Sequence, residues 1–207
     1  IRYNFFFNLL EKENLDFIVT AHHLNDELET FIINLSRGSG IKGLSGIPKN
    51  ENRILRPFLT FSKSEIYAFA EENNIDFRED KSNQKDDYLR NKIRNKIVPK
   101  ITEIFPNFLE QFGESIVYLA TVNQFFQEEI QKTFEEILIN GNESDFTLNK
   151  EILFQKHKTI IIEIIRKLGF TGIEIEKIMS AENGKFFRSS THEITIKRKE
   201  IHCKKRY

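Results

Sequence analysis

The sequence predicts an α/β domain with a parallel sheet, followed by a mainly helical α+β domain. In the first hundred residues a short apolar run is twice followed by an amphipathic helix, and this alternation is typical of a parallel sheet. From about residue 84 the pattern changes to helices, with short strands only near the end of the chain. We therefore predict two domains, at 1–100 and 101–207.

The first domain opens with a helix, a strand and a second helix. Residues 5–12 have the pattern of a helix end, and "LDFIVTA" (15–21) is rich in β-branched residues, so it predicts a buried strand. The next helix starts at once, and apolar side chains at helical spacing form its core face. These side chains are Leu24, Leu28, Phe31, Ile32 and Leu35.

A second strand and helix follow. "RILRPFL" (53–59) predicts the strand, and Pro57 suits its end better than its middle, because proline cannot donate a hydrogen bond to a neighbouring strand. Ser62 and Glu65 then form a capping-box pattern, which is typical of a helix start.

The second domain is predicted to be helical at first. A long apolar-periodic run, 106–138, predicts a helix in which Gly113 is a candidate break. Short strands are predicted in 143–153 and 186–207, around a helix at 157–170. Phe186 and Phe187 are expected in the core of this domain.

Composition excludes several classes of protein. Lys plus Arg and Asp plus Glu both total 31, so the net charge gives no signal for nucleic acid or membrane, although 81–100 and 184–207 are basic. Cys203 is the only cysteine, which excludes an intrachain disulfide framework and a multi-cysteine zinc site. A reducing cytoplasm fits this composition. No stretch has the length of a membrane span, and the first residues lack the layout of a signal peptide.

The segment "TAHHLNDELETFIINLSRGSG" (20–40) holds the strongest candidate site. Asp26, Glu29, Ile33 and Arg37 fall on one stripe of the helix, on the side away from the apolar face. A helix that follows a parallel strand begins at the carboxyl edge of the sheet, where such sheets bind ligands. Two carboxylates there suit Mg²⁺ or an ammonium group, and an arginine suits a phosphate or carboxylate. The alternative is a solvated polar face.

Two neighbouring features of this segment are easier to interpret. Adjacent histidines at a helix start point in different directions, so His22 and His23 favour a structural or substrate-contacting role over a metal site. "GSGIKG" (38–43) matches a dinucleotide-binding fingerprint by letter, but it follows a helix instead of a strand. Its glycines predict a tight loop that lies close to a ligand.

Four segments in this order resemble the tRNA(Ile)-lysidine synthetases: "TAHHLNDELETFIINLSRGSGIKGLSGIP", "ILRPFL", "SKSEIYAFAEENNIDFREDKSN" and "YLRNKIRNKIVPKI". The tail "GKFFRSSTHEITIKR" (184–198) resembles the end of the family's next, substrate-recognition domain. The resemblance implies a Rossmann-like ATP-pyrophosphatase (PP-loop) domain in the cytoplasm. With ATP and Mg²⁺, such enzymes adenylate the wobble cytidine of tRNA(Ile) with a CAU anticodon, and free L-lysine then displaces AMP.

The resemblance also assigns roles to residues of the candidate site. It implies that Asp26, Glu29 and Arg37 are catalytic, with Asp26 a candidate Mg²⁺ ligand; which carboxylate serves the metal and which the lysine stays open. Residues implied to bind substrate or ATP are His22, His23, Thr30, Gly38, Ser39 and Gly40.

One motif of the family has no counterpart. Its phosphate-binding Ser-Gly-Gly-x-Asp-Ser sequence is absent, and no Gly-Gly pair occurs in the 207 residues. We therefore expect a piece of a longer protein, with the phosphate loop before Ile1 and a further domain after Tyr207. By itself the piece is expected to be inactive.

The two basic segments are candidate tRNA contacts, because lysine and arginine neutralise phosphates and asparagine or tyrosine can contact ribose or an unstacked base. A solvated surface and a β-hairpin with charged edges are the alternatives. The candidates are Tyr88, Arg90, Asn91, Lys92, Arg94, Lys185 and Arg198.

Two other functions compete with lysidine formation. One is tRNA thiolation by a related PP-loop enzyme, which a lone cysteine disfavours because such enzymes commonly use several. The other is RNA binding without catalysis. A homodimer is compatible with the sequence.

Overall fold

A computed structural model describes residues 2–78 and 89–206. The chain forms two compact units, 1–123 and 124–207, and the border between them falls inside one long helix. The domain boundary near residue 100 stays a prediction.

The first unit contains helices and a small sheet of three two-residue strands. Strand β1 pairs in parallel with β3, which confirms the parallel strand pair that the sequence predicts, and β2 pairs with β3 in antiparallel fashion. In chain order the elements of this unit are α1 (Arg2–Lys12), β1 (Ile18–Val19), α2 (Leu24–Ser36), α3 (Ile41–Leu44), β2 (Asn50–Glu51), β3 (Ile54–Leu55), α4 (Lys63–Glu72), α5 (Leu89–Lys92), a π-helical turn (Ile93–Ile97), α6 (Val98–Ile104) and α7 (Phe108–Ile137).

Strand β1 differs from the prediction, because it is shorter and less buried. Val19 is exposed, so the expectation of a buried strand is wrong for this residue. Within the part of the chain that the structure describes, β1 has only β3 beside it, and a two-residue ladder covers little apolar surface.

Strand β2 was not predicted. It forms a hairpin with β3 through Asn52 and Arg53, both at positive φ, as a two-residue hairpin turn requires. Arg53 holds this conformation by donating hydrogen bonds to the Glu11 carboxylate and to the Asp16 carbonyl oxygen.

The core of the first unit lies where α2 packs against α7. Leu24 and Leu28 are buried there together with Phe112 and Ile116, and Phe31 and Ile32 pack against them. Leu35 is exposed, so its assignment to the core face is wrong; it lies in the last turn of α2, one residue before the helix ends.

Gly113 does not interrupt α7, and the predicted break is therefore wrong. A Cβ atom at Gly113 would lie 3.2 Å from Cδ2 of Leu24. The glycine thus lets α7 approach α2 closely, which offsets the roughly 1 kcal/mol that glycine costs inside a helix.

The predicted capping box at the start of α4 is confirmed. The Ser62 hydroxyl accepts a hydrogen bond from the Glu65 amide at 3.1 Å, and the Glu65 carboxylate accepts one from the Ser62 amide at 2.7 Å. Hydrogen bonding of the Ser62 side chain, and then of the Ser62 amide, to the Glu65 carboxylate lowers the pKa of Glu65 below its ordinary value.

The second unit contains the end of α7, from Gln124 on, a five-stranded antiparallel sheet and three further helices. Its elements are β4 (Leu138–Gly141), β5 (Asp145–Asn149), α8 (Lys150–Gln155), α9 (Lys158–Lys167), α10 (Ile173–Met179), β6 (Phe186–Arg188), β7 (His192–Ile196) and β8 (Glu200–Lys205), with strand order β4-β5-β8-β7-β6. The predicted strands and the helix at 157–170 are confirmed, whereas α10 was not predicted. Phe187 packs against the core, but Phe186 precedes it in β6 and therefore lies on the opposite face of the sheet, where it is exposed, so its core assignment is wrong.

Candidate functional site

The candidate site begins at the amino end of α2. His23 is the residue that caps this helix, and its amide donates a hydrogen bond to Oδ2 of Asp26 at 3.1 Å. The carboxylate therefore lies beside the first turn, where unpaired backbone N–H groups favour negative charge. Leu24 and Leu28 are buried in the core, which fixes the rotation of α2 and turns Asp26 and Glu29 to another side.

Glu29 is held by two arginines that lie more than sixty residues further along the chain. Its side chain is only 1% exposed. One oxygen accepts a hydrogen bond from Nε of Arg94 at 2.6 Å, and the other accepts from Nε of Arg90 at 2.7 Å and from Nη2 of Arg94 at 3.0 Å. The alternative of a solvated polar face is therefore wrong for Glu29.

Asp26 completes a group of four charges, which we call the carboxylate–arginine cluster: Asp26, Glu29, Arg90 and Arg94. Oδ1 of Asp26 lies 3.3 Å from Nη2 of Arg94 and 3.5 Å from Nη2 of Arg90. Arg90 also donates to the Asp26 carbonyl oxygen at 3.2 Å and to the Thr30 hydroxyl at 3.3 Å. The hydrogen bond that Arg94 donates to Glu29 raises the pKa of Arg94 above its ordinary value.

The basic segment 81–100 places these two arginines beside α2. Arg90 lies on α5 and Arg94 in the π-helical turn, while Ile93 between them is buried. Single π-helical turns are rare and occur frequently at functional sites. The segment thus faces α2 with its arginines.

The two histidines lie in different environments, as their adjacency predicts. Nδ1 of His22 lies 2.8 Å from the Thr20 hydroxyl, whereas Nε2 of His23 lies 3.5 Å from Oδ2 of Asp26. Burial lowers the pKa of His23 below 6.5, which favours the neutral imidazole at pH 7. Across residues 2–78 and 89–206, the structure contains no group of three or more His, Cys, Asp or Glu side chains that could hold a metal ion.

The glycine-containing loop follows α2 and turns as tightly as predicted. Gly38 has φ +68°, and Gly40 caps α3. The Asn34 side chain donates a hydrogen bond to the Gly43 carbonyl oxygen at 2.7 Å, which ties the loop back to α2. Arg37 lies at the end of α2 and is exposed; among the described contacts it makes none with the carboxylate–arginine cluster.

Glu27 and Arg56 hold the far end of this loop, and sequence reasoning missed both. Glu27 is buried and accepts a hydrogen bond from the Ile47 amide at 2.7 Å, while Arg56 is buried and donates to the Pro48 carbonyl oxygen. Burial raises the pKa of Glu27 to about 7. The signal was present in the sequence, because Glu27 follows Leu24 by three residues and so falls on the apolar face of α2.

Gly46 is expected to tolerate no side chain. It has φ +83°, and a Cβ atom there would lie 2.6 Å from Oε2 of Glu27. Gly46→Ala should therefore destabilise the first unit by about 1–3 kcal/mol, which thermal unfolding would measure. Gly40→Ala is the matched control, because its φ is negative and a Cβ atom has open space. Equal melting temperatures for the two variants would contradict this account of the loop.

The structure brings together part of the predicted site. Asp26 and Glu29 contact Arg90 and Arg94, which were predicted as tRNA contacts, while Thr30 contacts Arg90 and His23 contacts Asp26. Both arginines contact carboxylates of α2, and their role as tRNA contacts stays a prediction. Of the other predicted tRNA contacts, Lys92, Lys185 and Arg198 are exposed, Asn91 is half-buried and Tyr88 lies outside the described residues.

Comparison with known proteins matches both units. The PP-loop domain family matches residues 1–101, and the TilS substrate binding domain family matches residues 140–206. The tRNA(Ile)-lysidine synthase of Parabacteroides distasonis is 30% identical over 197 residues, which cover 94% of this chain and 44% of that protein. The tRNA(Ile)-lysidine synthase of Clostridium perfringens is 37% identical over 171 residues, covering 82% and 36%. That of Petrotoga mobilis is 40% identical over 136 residues, covering 66% and 42%.

The chain thus spans about two fifths of the length of these curated relatives. The two matched families occur in the order that the sequence motifs predict, and together they cover most of the chain. On these grounds the chain belongs to the tRNA(Ile)-lysidine synthase family.

Proposed function

We propose that this chain takes part in the ATP-dependent ligation of free L-lysine to C2 of the wobble cytidine of tRNA(Ile). The observation that carries the proposal is the carboxylate–arginine cluster at the amino end of α2, inside the region that matches the PP-loop domain family. ATP is the co-substrate that this family implies, and the relatives' names supply tRNA(Ile).

The proposed reaction has two steps. The C2 oxygen of the cytidine attacks the α-phosphate of ATP, and pyrophosphate leaves. An amino group of lysine then attacks C2, the C2–O bond breaks, AMP leaves and the nitrogen loses a proton. The carboxylates of Asp26 and Glu29 suit the lysine ammonium, because anions held in fixed positions bind a cation and place it for attack.

Arg37 and the glycine loop are proposed to contact ATP. Gly38, Ser39 and Gly40 lie at the exposed or half-exposed start of the loop, directly after Arg37. A guanidinium and backbone N–H groups in a tight turn are suitable partners for phosphate oxygens. His22 lies near the amino end of α2 and is proposed as a substrate contact.

Magnesium at Asp26 stays a prediction that the contacts of Asp26 do not support. Oδ1 lies near two guanidinium groups, and Oδ2 accepts the His23 amide, so both oxygens have cationic or N–H partners. Mg²⁺ prefers several oxygen ligands without competing cations. This donor set does not fit the ion, and no step is assigned to it.

Further proposals concern partners and location. Lys92, Lys185 and Arg198 are exposed cations that suit tRNA phosphates. A homodimer and a cytoplasmic location are retained as proposals, the latter because Cys203 is a single buried thiol. The structure adds one observation on membranes: none of the described helices is long and apolar enough to cross one.

Thiolation is disfavoured by the state of Cys203. The thiol is buried, and burial raises its pKa to about 12, so almost no reactive thiolate forms at neutral pH. The curated relatives are also lysidine synthases.

Asp26→Asn in the full-length protein is expected to lower kcat for lysidine formation at least about tenfold, while tRNA affinity changes little. The reason is that the lost charge acts on lysine and not on tRNA phosphates. Lysidine formation from labelled lysine and filter binding of tRNA would measure the two quantities. Asp145→Asn, an exposed aspartate in β5, is the matched control. A protein that binds tRNA but forms no lysidine before any substitution would favour the non-catalytic RNA-binding alternative.

A further inference from the structure

The carboxylates proposed to bind an ammonium group are already paired with cations. Asp26 and Glu29 carry two negative charges, and Arg90 and Arg94 carry two positive charges against them. A third cation would give the cluster a net positive charge in a site where Glu29 is almost fully buried. Like charges repel more strongly in a partly buried site than in bulk water, because the effective dielectric constant is lower. Lysine therefore cannot simply be added to this arrangement.

The two arginines are not held equally. Arg94 makes two short hydrogen bonds to Glu29, one to each carboxylate oxygen, and its side chain is 29% exposed. Arg90 makes one short hydrogen bond to Glu29, and its remaining contacts, to Asp26 and Thr30, lie between 3.2 and 3.5 Å. Its side chain is 39% exposed. Arg90 is thus the more weakly bound and the more exposed of the two arginines.

We infer that Arg90 occupies the position of the substrate ammonium and is exchanged for it when a phosphate draws the guanidinium away. This inference rests on the proposed function. Arg94 stays on Glu29 as a positioning residue and leaves the buried carboxylate with one guanidinium partner. A phosphate is the natural acceptor for Arg90, because guanidinium–phosphate pairs form two parallel hydrogen bonds. The sources of such a phosphate are the tRNA backbone and ATP.

Exchange at Arg90 makes the binding of phosphate and of lysine cooperative. Once a phosphate holds Arg90, the cluster keeps two carboxylates and one guanidinium, so an ammonium restores neutrality. By linkage each ligand strengthens the other by the same factor, which is typically about 5- to 150-fold. The consequence for the reaction is that lysine binds well only when the other substrate is in place.

The test measures lysine affinity of the full-length protein by calorimetry under three conditions that allow no turnover. The protein is titrated alone, with a tRNA(Ile) transcript and no ATP, and with α,β-methylene ATP and no tRNA. We expect lysine to bind at least about fivefold more tightly with one of these phosphate ligands than without. The condition that gives the increase identifies the source of the phosphate.

Variants of the same segment separate exchange from other effects. Arg90→Gln should bind lysine more tightly than the wild type when no phosphate ligand is present. The ratio of its lysine affinities with and without the phosphate ligand should fall to about 1. Arg90→Lys keeps the positive charge but cannot donate two parallel hydrogen bonds to a phosphate. Its coupling factor should therefore lie between those of the wild type and Arg90→Gln. Lys100→Gln is the matched control: Lys100 is an exposed cation in α6, and its removal should leave the coupling factor unchanged.

The outcomes distinguish failure of the exchange at Arg90 from failure of the proposed function. Equal lysine affinity under all three conditions, or weaker binding by folded Arg90→Gln, would overturn the exchange and leave the proposed function standing. Lysine that binds under none of the conditions would overturn the proposed function and the exchange together. The wild-type titrations need no variant, so a misfolded Arg90→Gln would still leave the exchange testable.

Discussion

Replacing Arg90 and Arg94 together by alanine is expected to lower the free energy of unfolding of the first unit by about 3–5 kcal/mol. The reason is that Glu29, only 1% exposed, loses all three of its hydrogen bonds from these arginines and remains as a buried charge. Hydrogen exchange of the α2 amides, followed by mass spectrometry, would measure the loss in this unit alone.

Two further variants test the cause of that loss. Lys92 and Lys100 are exposed cations of the same basic segment, so Lys92→Ala with Lys100→Ala removes the same charge without touching Glu29. This pair should cost less than about 1 kcal/mol. Adding Glu29→Gln to the double arginine variant should restore part of the stability, because a neutral amide is less costly to bury. A double arginine variant as stable as the lysine pair would show that the cluster is not a structural element.

Glu27→Gln is expected to stabilise the first unit at pH 8 by about 3 kcal/mol and to have little effect near pH 4.5. Burial raises the pKa of the native Glu27 to about 7, against an ordinary value of 4.5. A carboxyl with a raised native pKa contributes its stability below the unfolded pKa, and the contribution is lost as the pH rises from about 4.5 to 7. Glutamine keeps an oxygen for the Ile47 amide but never ionises.

The measurement is the difference in unfolding free energy between variant and wild type across this pH range. Glu72→Gln serves as the control, because Glu72 is an exposed residue of α4 and its substitution should give no comparable pH-dependent difference. Stability curves of wild type and Glu27→Gln that run parallel from pH 4.5 to 8 would contradict a protonated, buried Glu27.

Local features of the fold could be predicted because neighbouring residues encode them. The Ser62–Glu65 capping box lies within four residues, and the apolar spacing of Leu24 and Leu28 fixes one face of α2. Gly113 was misjudged because its effect depends on Leu24, which is distant in sequence. The hairpin at Asn52 and Arg53 was missed because its positive φ angles carry no glycine.

The carboxylates of the candidate site were predicted from the sequence, but the side chains that contact them were not. Asp26 and Glu29 are apparent from helical spacing, whereas the arginines that hold them are 61 to 68 residues away. A run of basic residues suggests a nucleic-acid surface when only its composition is known. Which of these cations turn inward depends on how α5 and the π-helical turn pack on α2, and periodicity over one helix does not contain that information.

The buried position of Cys203 makes its thiol a natural probe of local unfolding. It is the only cysteine, and it lies buried in β8 between β5 and β7. Because the reactive form of a thiol is the thiolate, a maleimide or disulfide reagent reacts only after β8 separates from its neighbours and the pKa falls from about 12. The labelling rate therefore reads the opening of the second unit, with no engineered probe.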